Sequence, residues 1–263
     1  MPIPEKLDTS RIDLWHVLLD QAVELGVEEE YRALLAPEEL QRERRLRVES
    51  VRVQFLVGRA LVRTALSHYT GDDPRRWEFR PNAFGKPAVQ SPPKVGLEFN
   101  LSHTRGLAVC AVTCGAAVGV DVEDCQRVVN HAGLARRYFA PSEAAALQSL
   151  APEQQRGAFF EFWTLKEAFL KARGVGLSMP LDSFAFSLAA DQPPRIALAA
   201  SAAGLPQEWQ FGQLLIASRY QVAVAAHMPS AVEVQFVGRQ TVPLRWQGPP
   251  CPLAPSAAHR WIL

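Results

Sequence analysis

The chain has 263 residues, with 28 basic and 27 acidic side chains and a formal net charge of +1. That length suits one large domain or two small ones, and an apolar fraction of 48% is ordinary for a globular protein. Charge so near zero excludes a whole-molecule field of the kind that gathers nucleic acid or an anionic membrane, and no apolar run approaches the roughly 18 residues of a membrane-crossing helix. The first residues lack the charged-then-apolar pattern of a signal peptide, so the expectation is a cytoplasmic protein with no membrane contact.

In chain order, an apolar run over Ile12–Leu19 reads as a strand. A charged helical stretch follows from Pro37 to about Arg52, rich in arginine (Arg42, Arg44, Arg45, Arg47 and Arg52), and then an apolar helix over Val53–Tyr69. The arginines are either a solvated helix face or a landing site for a phosphorylated ligand. The stretch Pro74–Lys94 reads as strand and loop, with Lys86 in a turn between Gly85 and Pro87. Alternating polarity marks Leu97–His103 as a strand ending in Ser102 and His103, and a second strand follows it. Cys110 and Cys114 lie on one face of that strand, so the four cysteines read as buried thiols rather than a zinc site or a disulfide.

A short Gly-Ala-Ala linker at 115–117 leads to the strand VGVDVE, where Asp121 and Glu123 share a face. Three helical segments follow, the second starting at Pro141 and Ser142 and the third carrying FWTLKEAFLKARGVGL, 162–177. Helical spacing puts Trp163, Glu167 and Lys171 on one side of it. Glu167 and Lys171 also form the commonest stabilising pair on any helix surface. Strands are expected at Leu181–Leu188, Trp209–Ile216 and Tyr220–His227. No repeat is visible at the residue level, and the Pro-rich stretch after Pro229 is expected to have low order, with an optional edge strand at VEVQFVG. The boundaries are an N-terminal α/β lobe at 1–117, a C-terminal α/β lobe at 118–228 and a tail at 229–263. The fold class is α/β (α+β), two similar lobes.

Asp121, Glu123 and Glu167 are hard oxygen donors without clustered His or Cys, which favours Mg²⁺, with Mn²⁺ as the alternative. Magnesium takes few protein carboxylates and fills its shell with water and phosphate oxygens, so the set implies a phosphate-bearing substrate. Lys171 would then neutralise phosphate charge. His103, at a strand tip, would be a phosphate donor, and Lys86 alone reads as a turn lysine.

With FGKPAV, FNLSHTRG, VGVDVE and FWTLKEAFLKARGVGL in this order, the chain resembles a 4′-phosphopantetheinyl transferase of the Sfp type from about Pro37 to Met228. VGRALVRTAL and RYFAPSE add weaker support. The resemblance implies a monomeric pseudo-dimer of two α/β lobes with the active site in the cleft between them. The implied reaction moves phosphopantetheine from coenzyme A to a serine of an apo acyl or peptidyl carrier protein, releasing adenosine 3′,5′-bisphosphate (EC 2.7.8 class). By matching positions, Asp121, Glu123 and Glu167 would bind Mg²⁺. Lys171, Lys86, Ser102 and His103 would contact coenzyme A, with Arg42 as the candidate from the arginine-rich stretch. Catalysis would rest on Glu167, Lys171 and Asp121, with Glu167 as the base. Lys166 would orient Glu167 or the phosphates, and Glu143 matches an acidic position of open role. Arg136, Arg137 and Phe139 would meet the carrier. The alternatives are a non-catalytic coenzyme A or carrier-binding module, and a Mg²⁺-dependent nucleotide-diphosphate hydrolase.

Overall fold

The computed structural model describes residues 5–93, 96–189, 192–198, 208–228, 232, 234–253 and 260–262. In chain order the elements are β1 (Arg11–Leu18), α1 (Leu19–Glu24), α2 (Glu28–Arg32), α3 (Pro37–Arg45), α4 (Glu49–Thr70), β2 (Glu78–Pro81), β3 (Pro87–Ser91), β4 (Leu97–Thr104), β5 (Leu107–Cys114) and β6 (Ala117–Asp124). They continue with α5 (His131–Tyr138), α6 (Pro141–Ser149), α7 (Pro152–Arg173), β7 (Phe184–Ala189), β8 (Gln192–Leu198), β9 (Trp209–Ile216) and β10 (Tyr220–His227). Four strands close the chain: β11 (Gln235–Val242), β12 (Trp246–Gln247), β13 (Cys251–Pro252) and β14 (Arg260–Ile262). The chain divides into two compact units, the first made of Met1–Ala116 with Gln235–Leu253, the second of Ala117–Val234 with Ala254–Leu263.

In the first unit the sheet runs β12-β11-β1-β5-β4, with β13 also paired to β11. β1 and β5 are antiparallel, as are β5 and β4, while β11 lies parallel to β1. Helix α4 packs on β5, β4 and β1. Its apolar side, including Leu56, Ala60, Leu61 and Leu66, meets Trp15, Val17, Phe99 and Val112 in one buried cluster. The charged stretch before it is a separate helix, α3, with the break at residues 46–48.

The tail after Pro229 departs from its expected low order. Gln235–Val242 is an interior strand, held between β1 and β12. The physical reason is a buried charge network. Asp13, fully buried on β1, accepts from Arg239 Nε at 2.7 Å and from Arg11 at 2.5 Å, and Glu5 accepts from Arg239 at 2.8 Å. A buried carboxylate requires such partners, and one of them comes from the tail. Residues 229–231 and 254–259 lie outside the described residues.

In the second unit the sheet runs β14-β9-β10-β6, with β10 antiparallel to both β9 and β6. Helix α7 packs on β6 and β10, burying Phe159, Phe160, Leu165, Phe169 and Ala172 with Phe184, Phe186, Phe211 and Ala223. β7 and β8 form a hairpin beside it. Both long helices end on a glycine in the left-handed region, Gly71 (φ 70°) and Gly174 (φ 64°), the conformation that closes a helix and that glycine adopts without steric cost. All four cysteines are free thiols. Cys110 is buried, Cys114 and Cys125 are half-buried, and Cys251 is exposed, so burial holds fully for one of the four. Among the described residues no helix is long and apolar enough to cross a membrane.

Candidate functional site

The site of the second unit is built by one strand and one helix. Strand alternation turns Gly119, Asp121 and Glu123 to the same side of β6, and that side meets α7. A Cβ on Gly119 would lie 2.1 Å from the Ala168 carbonyl oxygen and 2.3 Å from the Ala172 nitrogen. Only a residue without a side chain lets strand and helix backbones come this close. The close approach brings Lys171, one turn past Glu167, across to β6. Its Nζ donates to Asp121 Oδ1 at 2.6 Å, and Asp121 is buried. Lys171 therefore makes an ion pair across to the strand, and the within-helix pair with Glu167 is not needed to explain its position.

The carboxylates feel one another. Burial pushes Glu123 up to about 7, helped by the charges of Asp121 and Glu167 and opposed by Arg127 and Lys171. Arg127 Nη2 donates to Glu123 Oε1 at 3.2 Å. Glu167 is likewise raised, first by burial and then by Asp121, with Lys171 opposing. Two carboxylates raised by burial and by neighbouring negative charge, beside the buried Asp121, form a place where a cation is favoured. Among the described residues no three Asp, Glu, His or Cys side chains converge into a metal cage on their own. The arrangement is an acidic wall with a lysine against it.

Lys166 is expected in two roles, of which its burial opposes contact with the phosphates and leaves open the orienting of Glu167. It is fully buried under α7 and its ammonium is spent on three acceptors: Glu143 Oε2 at 2.7 Å, the Leu181 carbonyl at 2.7 Å and the Phe184 carbonyl at 2.8 Å. One residue along a helix is a turn of about 100°, so Lys166 points into the core while Glu167 points to β6. Buried with three acceptors, the Lys166 ammonium has no donor left for a phosphate. Glu143, whose role was open, also accepts from the Ala140 nitrogen at 2.9 Å and the Phe186 nitrogen at 2.8 Å. Burial pushes the Glu143 carboxyl up and the Lys166 ammonium down, and their mutual attraction opposes both. Phe139 is also corrected. It is 4% exposed and stacked on Phe159 at 5.4 Å, so it offers no apolar surface to a partner. Arg136 and Arg137 of α5 are exposed, and Val128, ahead of that helix, is 93% exposed.

The remaining candidates belong to the first unit. Lys86 sits in the β2–β3 turn, where Asn82 Oδ1 accepts from the Lys86 and Phe84 nitrogens at 2.9 Å each. Burial pushes its ammonium down and Glu98 opposes that. Ser102 is buried on β4, and its neighbour His103 points to the other side and is exposed. Arg42 on α3 is exposed, its guanidinium 5.6 Å from the Phe55 ring centre. Glu39, near it, is a structural residue: it accepts from the Ala36 nitrogen at 3.0 Å and pairs with Arg63 at 2.6 Å. The Glu143–Lys166 link and the role of Gly119 escaped the sequence reading. The signal for the first was the repeat of Ala-Pro-x-Glu at 36–39 and 140–143.

Residues 117–225 match the family described as the 4′-phosphopantetheinyl transferase superfamily. The chain is 34% identical over 199 residues to the 4′-phosphopantetheinyl transferase HetI of Nostoc sp. (strain PCC 7120), covering 74% of this chain and 83% of that protein. It is 34% identical over 178 residues to a 4′-phosphopantetheinyl transferase of Bacillus subtilis, covering 68% and 77%. Among solved structures, the holo-[acyl-carrier-protein] synthase of Thermotoga maritima overlaps 43% of this chain and 64% of its own at 24% identity, with a TM-score of 0.37.

Proposed function

Because the chain belongs to the 4′-phosphopantetheinyl transferase family, we propose that its β6–α7 wall performs phosphopantetheinyl transfer from coenzyme A to a carrier-protein serine with a divalent cation. The observation that carries this reading is the Asp121–Lys171 pair at 2.6 Å, set beside two further carboxylates whose protonation is raised by burial and then by neighbouring charge. Excess negative charge of hard oxygen donors, with no imidazole or thiolate in the set, fits magnesium, with manganese as the alternative. Asp121, Glu123 and Glu167 would hold the ion. Bound there, it would supply charge neutralisation on the diphosphate of coenzyme A.

The chain's own groups do the rest. Lys171 leaves its pair with Asp121 to lie against a phosphate oxygen, where a compact ammonium offsets charge that grows as the phosphorus–oxygen bond to the nucleotide breaks. The serine oxygen forms the new bond to phosphorus and its proton passes to a base. Glu167 is the candidate base, a carboxylate that burial and then Asp121 make more basic than usual, with Lys171 opposing. From the resemblance, Lys86, His103 and Arg42 stay candidates for the phosphates of coenzyme A, whereas Ser102 is buried and faces the opposite side of β4 from His103. Arg136 and Arg137, with exposed Val128 in the place first given to Phe139, suit an acidic carrier helix with an apolar side.

The test is to incubate the protein with coenzyme A, Mg²⁺ and an apo carrier domain and to weigh the carrier. A gain of one phosphopantetheine, abolished by Asp121→Ala, is the expected result. Binding of coenzyme A without mass gain would make the chain a binding module. Cleavage of coenzyme A without a carrier would make it a hydrolase. Glu167→Gln at wild-type turnover would remove Glu167 as the base.

A further inference from the structure

We propose that Glu143 and Lys166 are positioning residues for the transfer, a buried lock that sets the rotation of α7 and with it the aim of Glu167 and Lys171. This rests on the proposed role of Glu167. Both residues lie inside the core, shut off from solvent and from anything dissolved in it.

The lock ties three separate pieces of chain to one ammonium. Glu143 belongs to the first turn of α6 and caps that helix through the Ala140 nitrogen. It also accepts from the Phe186 nitrogen of β7. Lys166 takes the carboxylate and the carbonyls of Leu181 and Phe184, so all three of its donors are used. Its Nζ stands 4.3 Å from the centre of the Phe184 ring, which adds a favourable face to the cation. An ammonium held from three directions in a dry core cannot slide along or turn about the helix axis without losing a bond that water is not there to replace.

That matters because of what sits one residue away. The site depends on α7 lying against Gly119 with backbone separations that leave no room for a methyl group. At such a distance, a small rotation of α7 moves Glu167 and Lys171 relative to Asp121 far more than a surface side chain could correct. Apolar packing on the Phe-rich face and the close approach at Gly119 hold α7 against its neighbours, and the lock adds directional bonds to that packing. The ionic lock has one geometry that satisfies it.

The distinguishing feature of a positioning role is dependence on the residue positioned. The variant is Glu143→Gln with Lys166→Met, which removes both charges together and so avoids a lone buried ion. Near-ultraviolet circular dichroism checks that it folds. The expected kcat loss is on the order of 10- to 100-fold, the scale of a displaced reacting group, with KM for coenzyme A changed less than about 3-fold on the same grounds. The same pair of changes is then made in a Glu167→Asp background, where the shortened carboxylate is already out of place. There the further loss is expected to fall below about 3-fold, since coupled residues are non-additive. Equal losses in both backgrounds, or wild-type kcat in the folded double variant, would overturn the proposal. Lys166→Arg, which keeps the charge but replaces a compact donor by a planar one, runs through the same cycle. If neither variant folds, the pair is a condition of folding and not of aim, and the proposal is overturned. Failure of the Glu167 role itself shows separately, as unchanged turnover in Glu167→Gln alone.

Discussion

The two units build the same lock with different parts. In the first, Glu39 caps α3 through the Ala36 nitrogen and pairs with Arg63 of α4, which also donates to the Trp77 carbonyl and lies over the Phe79 ring at 5.0 Å. In the second, Glu143 caps α6 through the Ala140 nitrogen and pairs with Lys166 of α7, which donates to two carbonyls and lies over the Phe184 ring. Both long helices have 22 residues, and the buried cation stands at the same place in each, Arg63 counted from Glu49 and Lys166 from Pro152. The next residue is Glu167 on α7 and Thr64 on α4, and a turn further on Lys171 answers to His68. Lys171 meets Asp121 of β6, whereas His68 meets the Trp15 ring of β1 at 5.0 Å. One framework is repeated, and carboxylate chemistry is written on one copy of it.

The copies differ in completeness, and the largest expected effects follow from that. Lys166 and Glu143 are both 0% exposed and fully bonded, while Glu39 is 16% exposed, is shared with Arg59, and leaves Arg63 Nε buried without a hydrogen-bond partner. Lys166→Met therefore strands a fully buried carboxylate and is expected to destabilise the protein by about 3–5 kcal/mol in chemical denaturation. Arg63→Met leaves Glu39 with Arg59 and with water, and is expected to cost about half as much, on the order of 2 kcal/mol. Equal losses would show that the two locks are energetically the same.

Gly119→Ala comes next. The added carbon would meet helix backbone on two sides at 2.1 and 2.3 Å, and backbone cannot swing away as a side chain can. The helix must lift off the strand, at a cost of about 3 kcal/mol. Transfer activity should fall further than the folded fraction does, because the lift separates Lys171 from Asp121. Activity that tracks the folded fraction would break the link between close approach and the site.

Much of this was legible. Trp209–Ile216 and Tyr220–His227 were read with the bounds the strands have, and the carboxylates and lysine of β6 and α7 were read from strand and helix spacing alone. What stayed hidden had non-local causes. β8 carries Pro193 and Pro194, which mask a strand that forms a hairpin with β7. β11 reads from sequence only as an optional edge strand at VEVQFVG; its interior place depends on a parallel partner at the far end of the sequence and on Arg239 anchored to Asp13, which no local pattern announces. Lys166 read as a site residue because it adjoins Glu167, and only its acceptors reveal that it faces the other way.

The units should also answer acid differently. Burial pushes His16 of β1 down to about 4 from 6.5, and its cross-strand neighbours Val109 and Gln240 carry no charge. The folded protein keeps this imidazole neutral while the unfolded chain takes up the proton near 6.5. Its contribution is intact above that pH and is lost as pH falls toward 4, by roughly 2–3 kcal/mol near pH 4.5. Glu123 in the second unit, raised to about 7, works in the opposite sense, because its folded form gains the proton first on acidification. The measurement is the difference in stability between the protein and His16→Gln from about pH 7 to 4.5. A constant difference across that range would remove His16 as the cause.

The smallest effect is the sharpest contrast to Gly119. Gly58 of α4 also lies where helix meets sheet, but a Cβ there would touch only the Leu101 side chain, at 3.2 Å. That leucine is partly buried and can turn by a few tenths of an ångström, so Gly58→Ala meets a soft neighbour where Gly119→Ala meets a rigid one. Alanine is favoured over glycine inside a helix by about 1 kcal/mol, which offsets the crowding. The net change is expected to lie within about 0.5 kcal/mol of zero, with transfer activity retained. In the second unit the strand carries the missing side chain and the helix backbone fills the space. In the first the helix carries it and a flexible side chain fills the space. A large loss from Gly58→Ala would mean that α4 is held as closely as α7, and that close approach alone does not mark the unit that carries the site.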